Sequence, residues 1–470
     1  MPVPVISITQ MREWEAATWA AGESETEVIR RVGRAVAERA LQLTRTGDFI
    51  LVIAGKGNNG ADARNDLEHL DERRVDAIDV RDPDSDFSEL ETLLALRPAL
   101  IIDGLFGIGI NRPLDAAWIK FIQRINTARL QVLAVDVPSG LDAETGEPQG
   151  AAIKATVTLT VGAPKKGLLA PAAWPHVVRL EVTGDVGLIP CPVSSELNWT
   201  LAEDFVSFPP ARLIAGHKGS FGHVALIAGS AGYHGAGVLA ARGAQRARPG
   251  LITLLPHESA YLPAASQLQA VMVQPWNPSI NFTSEFSAML VGPGLAARDI
   301  PDEMKQSVRR LWQDSPIAMI VDASGLDWLP PRSAPADAIR VITPHPGEAA
   351  RLLKITTGQL QANRPQALRE VSRRFGNCWV VLKGHQTLTG RSSGEMFVNS
   401  SGNPGLAQGG SGDLLAGYLA GLLAQPALQS DVFKTIRFGV WQHGAAADRL
   451  ESTKPNWVVE DLAEVLGLGI

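Results

Sequence analysis

Short continuous apolar runs alternate with helical stretches along the whole chain, and few folds accommodate that rhythm. In the first half the runs fall at residues 49–53, 100–102 and 132–135, between helical stretches around 25–43, 62–70 and 114–125. A strand that is apolar on both faces must be covered on both faces, so the pattern predicts a buried parallel sheet. The second half repeats it, with strands predicted at 224–227, 251–255, 289–291, 319–321, 341–343 and 379–382. The expected fold class is α/β, as two doubly wound domains. The stretch 184–201, with Pro190, Pro192, Ser194 and Ser195 and no clear periodicity, is the simplest linker. It divides the chain into 1–197 and 198–470.

At 470 residues the chain exceeds the usual single domain, which agrees with that division. A net charge of −6, without any block of Lys or Arg, gives no electrostatic reason to bind nucleic acid or anionic membrane. Only Cys191 and Cys378 occur, without disulfide-framework or zinc spacing, which fits a reducing cytoplasm. The first ten residues lack a basic region followed by an apolar one, and the apolar run after Asp413 is too short and Gly-interrupted to span a bilayer. A soluble cytoplasmic homo-oligomer with small-molecule partners is the expectation.

Ligands of open α/β sheets bind beyond the carboxyl ends of the strands, and nearly every unusual motif here follows a strand. The most informative is Asn399-Ser400-Ser401-Gly402-Asn403-Pro404-Gly405-Leu406-Ala407-Gln408-Gly409-Gly410-Ser411-Gly412-Asp413, a glycine-rich turn before a helix-forming run at 414–425. The first amides of a helix have no partner one turn back, and the positive end of its dipole favours an anion. Asp413 then reads as a base beside a transferring phosphoryl group. Its plainer alternative is a helix N-cap.

Other loops follow strands in the same way. Gly229-Ser230-Ala231-Gly232-Tyr233-His234-Gly235-Ala236-Gly237 permits close approach of a ligand, and tight helix packing explains its glycines almost as well. Gly292-Pro293-Gly294 would be an ordinary turn if it stood alone. Thr343-Pro344-His345-Pro346-Gly347-Glu348 holds an imidazole in a stiff frame suited to substrate contact, against the alternative of a solvated surface turn. Lys383-Gly384-His385-Gln386-Thr387 suits nucleotide phosphate or ribose, with a hairpin corner as its rival.

With these motifs and His217-Lys218-Gly219-Ser220-Phe221-Gly222-His223, the second half resembles the ADP-dependent NAD(P)H-hydrate dehydratase family, a branch of the ribokinase-like fold. The resemblance implies that Lys383, Gly384, His385, Gln386, Thr387 and Gly412 contact the adenine nucleotide. By the same resemblance Ala236, Gly294, His345 and Asp413 face the hydrated nicotinamide, and Mg²⁺ accompanies ADP. The implied reaction phosphorylates the hydroxyl beside the ring nitrogen with ADP, after which the nitrogen lone pair expels phosphate and NADH or NADPH is restored. A small-alcohol kinase using ATP shares the same Gly-x-Gly-Asp logic and is the alternative enzyme, its first half then serving as a non-catalytic binding module.

Three loops of the first half also sit after strands. They are Gly55-Lys56-Gly57-Asn58-Asn59-Gly60-Ala61-Asp62, Asp103-Gly104-Leu105-Phe106-Gly107-Ile108-Gly109-Ile110-Asn111-Arg112-Pro113 and Asp136-Val137-Pro138-Ser139-Gly140-Leu141-Asp142. Asp103 or Asp136 alone would read as a loop cap; three loops in register suggest one pocket. Together they resemble the NAD(P)H-hydrate epimerase family and imply a Rossmann-like domain. The resemblance implies that Asn58 through Asp62, Gly107 through Pro113 and Asp136 hold the hydrated dinucleotides NADHX and NADPHX. It further implies that Asn59, Asp103 and Ser139 supply oxygens to K⁺, and that Asp136 is the catalytic acid/base. Two departures stand out: Ala61 and Ala63 replace glycines of the family's Gly-Gly-Asp-Gly, and Arg30 and Arg31 lie where an acid and a small polar residue are usual. If either alanine takes a positive φ, strain of about 1 kcal/mol or more is expected, with impaired epimerisation.

Overall fold

The computed structural model describes residues 2–65, 69–110, 112–212, 214–331, 334–335 and 337–468. The chain divides into two compact units, Val3–Ser195 and Glu196–Ile470.

The first unit opens with the short strand β1 (Val3–Pro4) and helices Ile8–Ala20 and Glu25–Leu43. Six parallel strands follow: β2 (Phe49–Ala54), β3 (Arg74–Asp79), β4 (Leu100–Gly104), β5 (Val132–Val135), β6 (Ala155–Thr160) and β7 (Val177–Val182). Their order is β3-β2-β4-β5-β6-β7, so the chain reverses direction across the sheet between β2 and β4. Alternate side chains build two cores. Ile50, Val52, Ile102 and Leu133 pack with helix Glu25–Leu43, whereas Leu51, Ile53, Ile101 and Ala134 pack with Phe121 and Ile122. That two-sided burial is why the central strands read as unbroken apolar runs.

The second unit introduces β8 (Leu197–Trp199), β9 (His223–Ile227), β10 (Leu251–Leu254), β11 (Met272–Val273), β12 (Ala288–Val291), β13 (Ala318–Val321), β14 (Arg340–Ile342), β15 (Trp379–Leu382), β16 (Leu388–Gly390) and β17 (Met396–Val398). They run in the order β8-β17-β16-β15-β14-β13-β12-β9-β10-β11. β9 through β15 pair in parallel, and β16 pairs antiparallel with both β15 and β17. Because β8 pairs with β17, residues 197–199 belong to this sheet, and the irregular connection ends earlier than the expected 201.

One helix pair fixes the geometry of the second unit. Helix His234–Ala247 lies so close to helix Ser411–Leu423 that a Cβ on Gly417 would sit 1.9 Å from the Ala240 carbonyl oxygen, and one on Gly243 would sit 2.1 Å from that of Leu414. The glycines that interrupt the apolar run after Asp413 are therefore contact points between backbones. The motif around Lys218 and Gly219 lies ahead of β9, at the amino edge of the sheet, where Gly222 takes φ +74° against the Ala424 carbonyl.

Gly417→Val should lose about 1–3 kcal/mol of stability in urea unfolding by forcing this helix pair apart. The control Gly358→Ala, whose new methyl would meet nothing closer than Thr356 Oγ1 at 3.9 Å, should be neutral or stabilising by up to about 1 kcal/mol. Equal effects at both positions would refute the packing argument.

Candidate functional site

In the second unit, β9, β12, β13, β14 and β15 run parallel, so their carboxyl ends share one edge. The loops there interlock. Gly294, at φ +65°, leaves room for a Cβ only 2.9 Å from that of Ala236, which brings two of the expected substrate residues together. The wholly buried Ser230 fastens them by donating its hydroxyl to the Gly294 carbonyl at 2.6 Å. A Cβ on Gly292 would lie 1.8 Å from the Asp322 carbonyl oxygen. Asp322, directly after β13, accepts from Lys383 Nζ at 2.7 Å, and a Cβ on Gly412 would lie 3.3 Å from that ammonium. The Lys383 amide donates to the Pro344 carbonyl at 2.9 Å, joining the His345 loop to the rest.

Asp413 stands in the first turn of helix Ser411–Leu423, whose N-cap is Gly410 at φ +94°. The N-cap reading of Asp413 is thus overturned. The first helical bond is Leu414 N–H to the Gly410 carbonyl, which leaves the amides before it ahead of the ladder. Among the described residues no donor reaches the Asp413 carboxyl. Burial, with Asp322 and Glu348 nearby, pushes its pKa up to about 6 although Lys383 pulls the other way. Burial works against the charge of Lys383, but Asp322, Glu348 and Asp413 outweigh it and hold its pKa above the ordinary value.

His345 is held as expected, and the holding device is a capping box. Its Nδ1 accepts from the amides of Gly347 and Glu348 at 3.0 and 3.3 Å while Glu348 accepts from its own amide at 2.8 Å. That fixes Nδ1 as an acceptor and leaves Nε2 on a half-exposed ring, 3.5 Å from Glu348 Oε1. The upstream part of the glycine-rich segment is less open than the sequence suggests. Asp448 takes the Gly402 amide at 3.0 Å and the Asn403 side-chain amide at 3.1 Å, and Ser411 donates to the Gln408 carbonyl at 3.4 Å, so among the described residues the amides of Gly409, Gly410, Gly412 and Asp413 are the unengaged ones nearest the helix start.

In the first unit a cavity of about 1080 Å³ opens over the carboxyl ends of β2 and β4, where the chain reverses across the sheet. Asn58, Asn59, Asp62, Gly107, Ile108, Gly109, Ile110, Arg112, Pro113 and Asp136 line it, while Asn111 lies outside the described residues. Gly60 and Ala61 do not line it. Helix Asn58–Arg64 turns Gly60 down onto the preceding loop, where a Cβ would meet the Gly55 carbonyl oxygen at 2.0 Å. Beneath the cavity lies an oxygen cluster around Asp103, which is 1% exposed. Its carboxylate accepts the Ser139 hydroxyl at 2.6 Å and the Ser139 amide at 2.9 Å, and Asn59 donates to the Phe106 carbonyl beside it at 2.9 Å. Burial still pushes the Asp103 pKa up to about 6.

Asp136 occupies the left-handed region at φ +61°, a strained place for a non-glycine residue. Its Oδ1 collects three donors: Lys165 Nζ at 2.5 Å, the Val161 amide at 3.0 Å and Thr160 Oγ1 at 3.1 Å. Asp62 has no donor among the described residues. Burial, followed by the charges of Asp136 and Glu15, pushes its pKa up to about 8.

The two sequence departures do not touch this cavity. Ala61 and Ala63 are helical and neither has a positive φ, so the expected strain is absent. Ala63 is part of the core, and alanine favours a helix more than glycine does. Arg30 and Arg31 both bond to Glu27 on their own helix, at 2.7 and 2.9 Å, while Val28, Ile29 and Val32 face the cavity.

Sequence reasoning missed four anchoring residues: Lys165, Asp322, Arg364 and His443. Asp322 had a signal, an acid directly after an apolar strand run, the same one that marks Asp136. Arg364 is buried beneath the loop after β15, donating to the carbonyls of Leu382, Lys383 and Gln386 at 3.2–3.3 Å and to that of His385. Burial lowers its pKa to about 10, so it stays charged. His443 is buried near the Ser411 backbone under the Asp413 helix, and burial pushes its pKa down to about 4, leaving the ring neutral.

Two doubly wound units, each gathering ionisable groups at the carboxyl ends of its parallel strands, define a two-domain α/β enzyme. Comparison with known proteins makes the class specific. Residues 224–466 match the NAD(P)H-hydrate dehydratase family and residues 62–167 match the YjeF-related protein N-terminus. The chain is 32% identical to the bifunctional NAD(P)H-hydrate repair enzyme Nnr of Coxiella burnetii, over 94% of this chain and 93% of that one. Among solved structures, a ribokinase-like superfamily protein from Enterococcus faecalis matches with TM-score 0.50 and 25% identity, covering 58% of this chain and 95% of that one. An ADP/ATP-dependent NAD(P)H-hydrate dehydratase from Bacillus subtilis matches with TM-score 0.49 and 27% identity, over 55% and 91%. The chain belongs to the family of bifunctional NAD(P)H-hydrate repair enzymes.

Arg364→Met would leave buried carbonyls of the 382–386 loop without their donor, at a cost of about 1–3 kcal/mol. Hydrogen exchange should rise at 383–387, and unchanged protection there would contradict the bracing role. Asp62 gives a pH prediction. Its folded pKa of about 8 exceeds the ordinary carboxyl value, so the folded state holds a proton that the unfolded state releases. That contribution is fully present below the unfolded pKa and is lost as pH rises through about 8, with a limiting slope of ~1.4 kcal/mol per pH unit. Urea unfolding of Asp62→Asn should lose this slope, so the variant gains on the parent between mildly acid and mildly alkaline pH. Parallel curves would disprove it.

Proposed function

We propose that the second unit performs ADP-dependent dehydration of the S hydrates of NADH and NADPH, yielding NAD(P)H, AMP and phosphate, and that the first unit interconverts the R and S hydrates. The observation that carries the first half is the setting of Asp413: an undonated carboxyl with a pKa near 6, beside a lysine and a helix N-terminus.

Hydroxide is a poor leaving group, so the hydroxyl beside the ring nitrogen must first be made a phosphate. Asp413 accepts the hydroxyl proton as the oxygen attacks the terminal phosphorus of ADP, and a carboxyl poised near neutrality is matched to that task. The amides of Gly410, Gly412 and Asp413 and the Lys383 ammonium face the charge carried by the moving phosphoryl group. The loop from Gly384 to Thr387, braced by Arg364, takes the rest of the nucleotide together with Gly412. Ala236, Gly294 and the Nε2 edge of His345 position the nicotinamide. The nitrogen lone pair then expels phosphate, and loss of the neighbouring proton restores the dihydropyridine.

Among the described residues no three His, Cys, Asp or Glu side chains group to hold a metal, so Mg²⁺ is assigned to the nucleotide phosphates, as its preference for water and phosphate oxygens favours. The Asp103 cluster fits K⁺: Asp103, Ser139, Asn59 and the Phe106 carbonyl offer oxygens alone, and a cation there would offset the buried carboxylate. In the first unit Asp136 serves as acid/base. Support for an active epimerase comes from the unstrained alanines and from the turn of Arg30 and Arg31 away from the cavity.

Purified R and S hydrates, given ADP and Mg²⁺, should both be consumed to NADH. Consumption of the S form alone, with the R form lost only at the spontaneous rate, would remove the epimerase assignment. Parallel titration with ATP tests the choice of donor, and better turnover with ATP would overturn it. Asp413→Asn should lower dehydration about 10²–10⁴-fold while calorimetry still detects nucleotide binding. Unimpaired turnover would eliminate Asp413 as the base.

A further inference from the structure

Asp136 does not face the cavity of the first unit alone. Asp62 and Glu15 line the same cavity, and Lys165 is the one buried cation that the described residues set among the three carboxyls. That cation is committed. Lys165 Nζ also donates to Thr160 Oγ1 at 3.0 Å and to the Val161 carbonyl at 2.8 Å, and all three donors on Asp136 converge on Oδ1. Oδ2 of Asp136 is left without a donor among the described residues, so one oxygen of the ion-paired carboxyl is unengaged. Asp62 has neither cation nor donor among those residues. It is about as buried as Asp136, no donor among the described residues reaches it, and the charges that bear on it are those of Asp136, Glu15 and Lys165, two of them repulsive. Glu15 in turn feels burial first, then Asp136, Lys165, Glu25 and Arg12. Two carboxyls in one cavity with environments this different mark a base and an acid.

We propose that Asp62 is a second catalytic residue of the first unit, the general acid that works opposite Asp136. The inference rests on the epimerase reading of that unit and deepens it. Interconverting the epimers requires the carbon–oxygen bond at the carbon beside the ring nitrogen to break on one face and re-form on the other. Asp62 gives its proton to the departing hydroxyl, which leaves as water, and the nitrogen lone pair becomes the second bond of a carbon–nitrogen double bond. Water then adds to the opposite face, its oxygen forming the new bond as that electron pair returns to nitrogen, and Asp136 takes the proton the water sheds. The net change in the protein is one proton moved from Asp62 to Asp136. The reverse reaction, or exchange with solvent, returns it. Neither group could serve if both were ionised or both neutral. The burial that denies Asp62 a partner is therefore part of the device.

The test uses the full-length enzyme without nucleotide, so that the second unit cannot consume product, and follows approach to equilibrium from the pure R epimer. Asp62→Asn keeps the shape of the neutral carboxyl and cannot deliver its proton. The rate should fall about 10²–10⁴-fold, with KM changed far less than kcat. Asp136→Asn should be equally impaired. A wild-type rate no faster than the spontaneous one would defeat the epimerase reading itself, and an active Asp136→Asn would defeat the pairing of Asp62 with Asp136 while leaving that reading intact. An inactive Asp136→Asn beside a fully active Asp62→Asn would defeat only the role of Asp62. A second readout does not depend on any variant folding. The wild-type rate should decline at alkaline pH as the Asp62 proton is lost, and a rate that stays level well above pH 8 would overturn the proposal.

Discussion

A carboxylate taken out of water must find a cation or surrender its charge, and both units are organised around that choice. Each places an aspartate directly after a buried parallel strand, Asp136 after β5 and Asp322 after β13. Each supplies it with a lysine from beyond a nearby strand end, the wholly buried Lys165 after β6 and the partly buried Lys383 after β15. With one charge satisfied, a second carboxyl in the same neighbourhood goes without. In the first unit this is Asp62, in the second Asp413. The parallel sheet makes the arrangement possible, because parallel strands bring every carboxyl end, and so every following loop, to one edge.

What holds Asp413 in place is steric rather than electrostatic. Helix Ser411–Leu423 can be aimed at the sheet edge only because helix His234–Ala247 approaches it to backbone contact at Gly243 and Gly417. The neutral His443 is buried beneath the start of that helix. The same logic appears in the first unit, where Gly60 lets helix Asn58–Arg64 sit on the Gly55 carbonyl and so carries Asn59 and Asp62 to the cavity. In both units glycines chosen for close packing look, in one dimension, like glycines chosen for phosphate.

That ambiguity marks the limit of what could be read from sequence. Strands covered on both faces were legible, and β5 and β15 fall where the apolar runs predict them. Strands β3 and β7 were missed because Arg74–Asp79 and Val177–Val182 mix charged and apolar residues at the sheet margins. The helix expected at 62–70 begins earlier, at Asn58, because Gly57 leads the chain into it directly from the loop. Loop residues announced themselves by type, as Asp103, Asp136, His345 and Asp413 did. Their partners did not. Lys165 lies 29 residues from Asp136 and Lys383 lies 61 from Asp322, and no local pattern ties a lysine to an acid at such a distance.

The difference between the two unpaired carboxyls follows from where the lysine stands. Lys383 lies against Gly412, next to Asp413, so its charge reaches the unpaired carboxyl as well as its partner and limits the rise to about 6. Lys165 is turned fully onto Asp136, Thr160 and Val161, and its pull on Asp62 ranks below the push of Asp136 and Glu15, which lets the rise continue to about 8. Asp62 therefore holds its proton more tightly than Asp413 does. The proposed dehydration needs only a base, whereas the proposed epimerisation needs a base and an acid at once. One motif, an aspartate–lysine pair with a bystander carboxyl, therefore suits either reaction according to how far the lysine's field extends.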